Sequence, residues 1–217
     1  DRSPFAAVLP LESYVGVAPR ARVLQVAFIA PSLSEEIAVD SLLDRTSDAI
    51  AYAIDQGADI INASWIAACG PDKPQVPMRL RCTADAVNEK LQRMTMIFDV
   101  LETMGLNRIL FVAGGPNVNV DLDRGDVQAL PGELARDYII TVSSVDISDN
   151  LAPTASFGPG TFDIAAPSYD VRTLNALGRT TDAMGNVLTP GLSYQTLADG
   201  TIDLLRSSGI SFAIPQV

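Results

Sequence analysis

The chain has 217 residues, enough for one α/β domain with a substantial core, and its 47% apolar and 19% charged residues exclude an intrinsically disordered chain. A net charge of −11 argues against nucleic acid, whose phosphates need clustered Lys and Arg, and leaves cationic substrates as the charge-matched class. No apolar run reaches the length of a membrane span, and Asp1-Arg2-Ser3-Pro4 is not the start of a signal segment, so a chain without an initiating Met is expected to be a mature or internal piece.

In chain order, Gly16-Val17-Ala18-Pro19 makes a turn, and Ala21 to Ile29 reads as a buried strand from its β-branched and aliphatic content, ended by Pro31. From Ser34 to Gln56 the pattern is helical, with Ile37, Leu42, Leu43, Ile50 and Ile54 on one face and Gly57 as the stop. A strand over Asp59 to Ser64 completes a strand-helix-strand unit. Ala67 to Leu80, rich in Pro and polar residues, predicts a surface insertion, taken with its flanking residues as 67–82. Cys69 and Cys82 bracket it, so that a disulfide and two thiols are both open, the bridge being the expectation.

Thr83 to Met104 predicts a helix with Thr83 as its cap, and Gly105 closes it. Arg108 to Ala113, Asp137 to Val145 and Asp163 to Pro167 predict three more strands. Strands separated by helices imply a mainly parallel sheet in a three-layer α/β/α domain, with sites outside the carboxyl ends of the strands. Residues 168–208, spaced by Gly178, Gly185, Pro190, Gly191 and Gly200, read as loops and a hairpin, with no second domain, so 1–217 is taken as one unit. The close, Gly209-Ile210-Ser211-Phe212-Ala213-Ile214-Pro215, sets a Ser after a turn and ahead of an apolar helical segment, either as a nucleophile or as an ordinary helix cap.

Other residues also carry two readings. Asn117 after Pro116 is a turn residue or a side-chain donor, Gly114-Gly115 a turn pair or a phosphate loop without the following glycine pattern, and Trp65 core packing or a site wall. Asp121, Asp123 and Asp126 lack calcium-loop spacing and read as a solvated acidic turn, while Glu133 and Asp137 read as surface carboxylates; no metal and no cofactor is expected. The chain has no His, hence neither the usual general base nor the usual zinc ligand.

Six segments, in order, resemble the subtilisin-like serine peptidases: Gly16-Val17-Ala18-Pro19, Asp59-Ile60-Ile61-Asn62-Ala63-Ser64, Val112-Ala113-Gly114-Gly115-Pro116-Asn117, Ala155-Ser156-Phe157-Gly158, Asp163-Ile164-Ala165-Ala166-Pro167 and Gly209-Ile210-Ser211. The resemblance spans residues 16 to 217. It implies that Ser211 is the nucleophile and Asn117 the oxyanion donor. It further implies that Ser64, Trp65 and Ile66 form one wall of the first specificity pocket and pair with substrate backbone, and that Ala113, Gly114 and Gly115 form the opposite wall.

The departures are equally specific. The family's Asp and His precede the Gly-Val-Ala-Pro turn and are absent here; Ile210 stands where Thr is usual, and Pro116 where Gly is usual. The chain stops at Val217, where the helix behind the nucleophile gets under way, which leaves apolar sheet surface to be covered. The expectation is a partial subtilisin-like domain, incomplete at both ends, from an exported endopeptidase acting on polypeptides, inactive alone and completed by further segments of the same protein or a complementing chain. The alternatives are a non-catalytic relative serving as a peptide-binding or scaffold domain, and an unrelated α/β binding domain.

Overall fold

The computed structural model describes residues 18, 20–28, 39–169, 171–172, 174–175, 191–192, 194–196, 202–204 and 206–217. Helix α1, Val39–Asp55, ends where Gly57, at φ 73°, donates its N–H to Ile54 O at 3.0 Å and Ala58 donates to Ala53 O at 3.1 Å. This is the paired closure that a left-handed glycine permits. Residues 34–38 of the expected helix lie outside the described residues.

Strand β1, Ile60–Ala63, is followed by β2, Ala67–Pro71, and the two-residue β3, Arg81–Cys82. Helix α2, Ala84–Thr103, starts at Thr83, whose hydroxyl accepts the Ala86 N–H at 3.2 Å. Strand β4, Leu110–Gly114, precedes β5, Gln128–Leu130; then come β6, Ile139–Val145, and β7, Ile164–Pro167. Strands β1, β4, β6 and β7 lie side by side in the order β1-β4-β6-β7, all parallel, with Ile60 opposite Leu110 and Phe111 opposite Ile139.

Alternate residues of β4 feed opposite faces of that sheet, as the two-residue period of a strand requires. Phe111 and Ala113 join Leu43 and Ile50 of α1 and Met94, Phe98 and Leu101 of α2 in the larger core. The last three, spaced four and three apart on one helical face, are completely buried, and the Phe98 and Phe111 rings meet edge to face at 5.3 Å. Val112 faces the other way, with Val142 and Ala166, onto the short helix α3, Ile210–Ala213, through Ile210, Ala213 and Ile214. The expected α/β architecture is present, with a mainly parallel sheet between helices.

Between sheet and α3 runs an antiparallel arm. Strands β8, Val171–Arg172, and β9, Leu174–Asn175, lead out; β10, Gly191–Leu192, β11, Tyr194–Thr196, β12, Ile202–Leu204, and β13, Arg206–Ser207, follow. Pairing is β8 with β13, β9 with β10 and β11 with β12. The expected loops and hairpin are thus a set of short ladders delivering the chain to Gly209, while Gly178, Gly185, Pro190 and Gly200 lie outside the described residues.

Three expectations are corrected. Residues 21–28 form no strand and are largely exposed, Val23 at 88%, because none of the described strands runs beside them to pair with; Ile29 lies outside the described residues. A β-rich composition alone does not supply the neighbour that a strand needs. The 67–82 segment is not a plain surface insertion: 72–75, Met78 and Arg81 are exposed, but β2 pairs antiparallel with β5 and parallel with β3, and Cys69 and Val76 are buried. Cys69 and Cys82 are joined, their Cα atoms 5.8 Å apart. Glu133 is half-buried rather than on the surface; its carboxylate accepts the Ala129 N–H while its own N–H reaches Ala129 O at 3.1 Å. Among the described residues no helix is long and apolar enough to cross a membrane.

Closing a loop across 13 residues restricts the unfolded chain, so reducing the disulfide should lower stability by about 2–4 kcal/mol, seen as a lower urea midpoint in reductant. Burial pushes the Glu133 carboxyl above its ordinary range, outweighing the lowering effect of the Ala129 hydrogen bond. The folded state therefore keeps this proton to higher pH than the unfolded chain does, and stability falls as pH rises from near 4.5 to the raised value. Glu133→Gln should remove that slope from a series of urea midpoints across this window.

Candidate active site

The carboxyl ends of β1, β4 and β7 converge on α3. Ser64 follows β1, Asn117 lies three residues past β4, and Ser168 follows β7. The turn into α3 is fixed on two sides: Gly209 donates its N–H to Ser168 O at 3.1 Å, and Ile210 donates to Asn117 Oδ1 at 2.8 Å. Gly209 adopts φ 157° and ψ 149°, a region open essentially to glycine, and a Cβ there would lie 3.6 Å from the Asn117 amide. Ser211 is then the second residue of α3, exposed, its Oγ 3.5 Å from Ser64 O. That distance is the long limit of a hydrogen bond. Ser64 Oγ lies 3.4 Å from Ser211 O, so the two serines face one another across the site.

With Oδ1 engaged by Ile210, the donor half of the Asn117 amide is Nδ2; of the N–H groups opening α3, Ile210 donates to Asn117 and Phe212 to Gly209 O at 2.9 Å. A hydroxyl beside an amide donor suits attack on a carbonyl with stabilisation of the oxyanion that forms. The chain's 217 residues contain no His to take the hydroxyl proton.

The loop bearing Asn117 is set by a buried hydroxyl. Ser156, completely buried, donates through Oγ to Pro116 O at 2.6 Å and accepts the Val120 N–H at 3.5 Å, while Ser143 of β6 donates to Ser156 O at 2.8 Å. Pro116 fixes φ and Ser156 fixes the carbonyl, so the loop is held from both sides. The departure from glycine at 116 stiffens the loop that carries Asn117.

The small residues of the expected second wall have another use. Ala113, Gly114 and Gly115 are buried. A Cβ on Gly114 would come within 2.4 Å of Ile210 Cγ2 and 2.8 Å of Ile214 Cδ1, and one on Gly115 within 2.5 Å of Phe162 Cζ. Gly114 is small because α3 packs directly on the backbone of β4. Ile210 is the packing partner that makes this contact, 1% exposed, in place of a hydroxyl beside the site.

An apolar groove of about 290 Å³ adjoins Asn117, lined by Ile66, Ala68, Leu80, Pro116, Asn117 and Val118. Ile66 of the expected first wall lines it; Trp65 instead packs against the larger core and meets the Phe28 ring at 6.1 Å. A second groove of about 420 Å³, lined by Glu102, Asn107, Ala135, Arg136, Asp137 and Tyr138, opens at the amino ends of β4 and β6. Its polar groups are tied together, with Tyr138 donating to Glu102 at 2.8 Å and Arg136 paired with Glu102 and Asp99.

The acidic turn is not simply solvated. Asp123 accepts from Gly160 N at 2.8 Å and Thr161 Oγ1 at 2.9 Å, Asp121 pairs with Arg124, and Asp126 takes Lys73 at 2.9 Å. The Lys73 hydrogen bond is the main influence holding the Asp126 carboxyl below its ordinary range. These carboxylates tie loops together. Ser156 and Leu80 had no role in the sequence reading: Ala155-Ser156-Phe157-Gly158 marked a segment without its hydrogen bonds, and nothing local placed Leu80 beside Asn117.

The sequence model of the Subtilase family matches residues 6–198. The chain belongs to the subtilase family. The match stops short of Ser211, whose place in the site rests on the geometry above. Among solved structures, the chain is similar to the epidermin leader peptide processing serine protease of Staphylococcus aureus, with TM-score 0.56, 22% identity, and 93% of this chain and 46% of that one covered. It is also similar to MycP1 from Mycobacterium smegmatis, with TM-score 0.58, 16% identity and coverage of 96% and 53%. MycP3 protease from the type VII (ESX-3) secretion system gives TM-score 0.58, 18% identity and coverage of 93% and 53%. The chain therefore spans about half the length of each of these proteins, and at these identities the likeness shows the fold. No curated protein matches it.

Ser156→Ala leaves the buried Pro116 carbonyl without its donor, which should cost about 1–3 kcal/mol in urea unfolding and speed amide hydrogen exchange at Val120. Unchanged exchange there would mean that the hydroxyl does not hold the loop.

Proposed function

We propose that this chain carries the nucleophile and oxyanion donor of a subtilisin-like serine endopeptidase. The supporting observation is the meeting of Ser211, Asn117 and Ser64, with the Ile210 N–H on Asn117 Oδ1 at 2.8 Å fixing the amide. Ser211 Oγ attacks the scissile carbonyl carbon, and its proton passes to a base and then to the departing amine. The resulting acyl-enzyme is cleaved by water. Asn117 Nδ2 stabilises the negative oxygen of the tetrahedral intermediates.

The base and the carboxylate that orients it come from outside these 217 residues, since the chain has no His. Without them the chain keeps only binding and oxyanion stabilisation, roughly a thousandfold over water, and is close to inactive. We take the 217 residues as one partial peptidase domain, completed by further segments of the same protein or by a complementing chain. The Cys69–Cys82 bridge favours an oxidising compartment, secreted or periplasmic. A second reading, a non-catalytic peptide-binding relative, draws on the missing His and on the exchange of a hydroxyl for buried Ile210.

Treating the natural protein with a fluorophosphonate and measuring its intact mass separates the two. The expected result is one adduct on Ser211, lost in Ser211→Ala. Asn117→Ala should then lower kcat about 10²–10³-fold, the size known for such a donor in subtilisin. A protein that gains no adduct is the non-catalytic relative.

A further inference from the structure

The buried hydroxyls of Thr141, Ser143 and Ser156 each donate to a backbone carbonyl, whereas those of Ser144 and Ser168 bond to each other. Both of these serines are completely buried. A hydroxyl in such a place costs stability unless it is paired, so each fixes the orientation of the other. Ser144 lies two residues after Val142 on β6, which puts it on the sheet face that carries α3. Ser168 follows β7 and donates its N–H to Val145 O at 3.0 Å.

The end of β7 grips α3 at both of its ends. Ser168 O accepts the Gly209 N–H at 3.1 Å ahead of the helix, and the preceding carbonyl, Pro167 O, accepts the Gln216 side-chain amide at 2.6 Å beyond it. The same Gln216 Nε2 reaches Phe212 O at 2.7 Å, so one amide closes the helix and ties it to the strand. Ser211 lies between these two points. The packing of Ile210 and Ile214 on Gly114 sets how far α3 stands from the sheet, but apolar contact is non-directional and does little to stop the helix from turning about its axis. A turn of about 15° would carry a side-chain atom on α3 roughly 1 Å. Asn117 holds the helix at Ile210 alone, and the directed hydrogen bonds at 209 and 216 oppose rotation about that point.

We infer that Ser144 and Gln216 are positioning residues for Ser211: Ser144 fixes Ser168 at the end of β7, and the two consecutive carbonyls there, one on the Gly209 turn and one on Gln216, set the rotation of α3 and so the direction of the Ser211 hydroxyl. The effect on reactivity rests on the peptidase reading of Ser211. The hold on Gly209 is measurable without any reaction.

The test labels the natural protein and three variants, Ser144→Ala, Gln216→Met and the double variant Ser144→Ala/Ser168→Ala, with a fluorophosphonate over a range of concentrations. This separates the limiting rate at Ser211 from the concentration that gives half of it. Amide hydrogen exchange at Gly209 is followed beside it. Gln216→Met keeps the length of the side chain without its donor, and the double variant leaves no buried hydroxyl unpaired, which spares the fold. The limiting rate is expected to fall about 10–100-fold in each variant, with the half-saturating concentration unchanged. Exchange at Gly209 should be about fivefold faster in the two serine variants. A merely structural role would lower the urea midpoint and leave the limiting rate of the folded protein as it was, and that result overturns the inference while the peptidase reading stands. If the unsubstituted protein is not labelled at Ser211, the peptidase reading fails; faster exchange at Gly209 in the serine variants then upholds the hold on α3, and unchanged exchange overturns it.

Discussion

Helix α3 rests directly on the backbone of strand β4, and the contact exists because Gly114 has no side chain. The methyl groups of Ile210 and Ile214 occupy the space where a Cβ would be, 2.4 and 2.8 Å from its ideal position. Any larger residue would lift the helix from the sheet. Since Ser211 is on α3 and Asn117 follows the end of β4, the spacing between the Ser211 hydroxyl and the Asn117 amide follows from this packing. The Ile210 N–H bond to Asn117 Oδ1 then closes the same contact from its polar side. A buried isoleucine and a glycine set where Ser211 and Asn117 stand.

Support for the site is distributed among elements distant in sequence. Ser156, 40 residues beyond Pro116, holds the carbonyl that precedes Asn117. Ser168 holds the N–H of Gly209 from the end of β7. Each anchor is a hydrogen bond to backbone, so it fixes a loop's path without occupying the space a substrate would need. On the other side, the disulfide and the ion pairs of Asp72 and Asp126 hold the 67–82 segment in place. A site assembled from loops is kept rigid in this way by side chains that take no part in the chemistry.

Membership of the subtilase family accounts for the parallel sheet and for the order of the segments, and the solved relatives share that arrangement at 16–22% identity. The family pattern does not dictate how this chain fills its own interior. Pro116 and Ile210 depart from the family and are both buried, so each is explained by packing before chemistry is considered. Pro116 stiffens the loop that carries Asn117, and Ile210 seals the helix onto the sheet.

Much of this was legible in the sequence. Periodicity placed α2 from its Thr83 cap to Gly105, and the short apolar runs placed β1, β4, β6 and β7, because burial on a helix face or a sheet face imposes a local pattern. Ordered motifs singled out Ser211 and Asn117, and the structure brings the turn before Ser211 onto Asn117. The sequence was silent where the answer depended on a partner. Residues 21–28 have strand composition yet pair with no strand among the described residues, and 67–71, expected to open a surface insertion, pairs with two. Hydrogen-bonding neighbours along a ladder are chosen by the fold, not by the residues that meet there. The same holds for Gly114 and Ser156, whose roles arise from contacts with residues far along the chain. Local composition determined which elements form; only the tertiary structure decided which of them touch, and the site is made of those contacts.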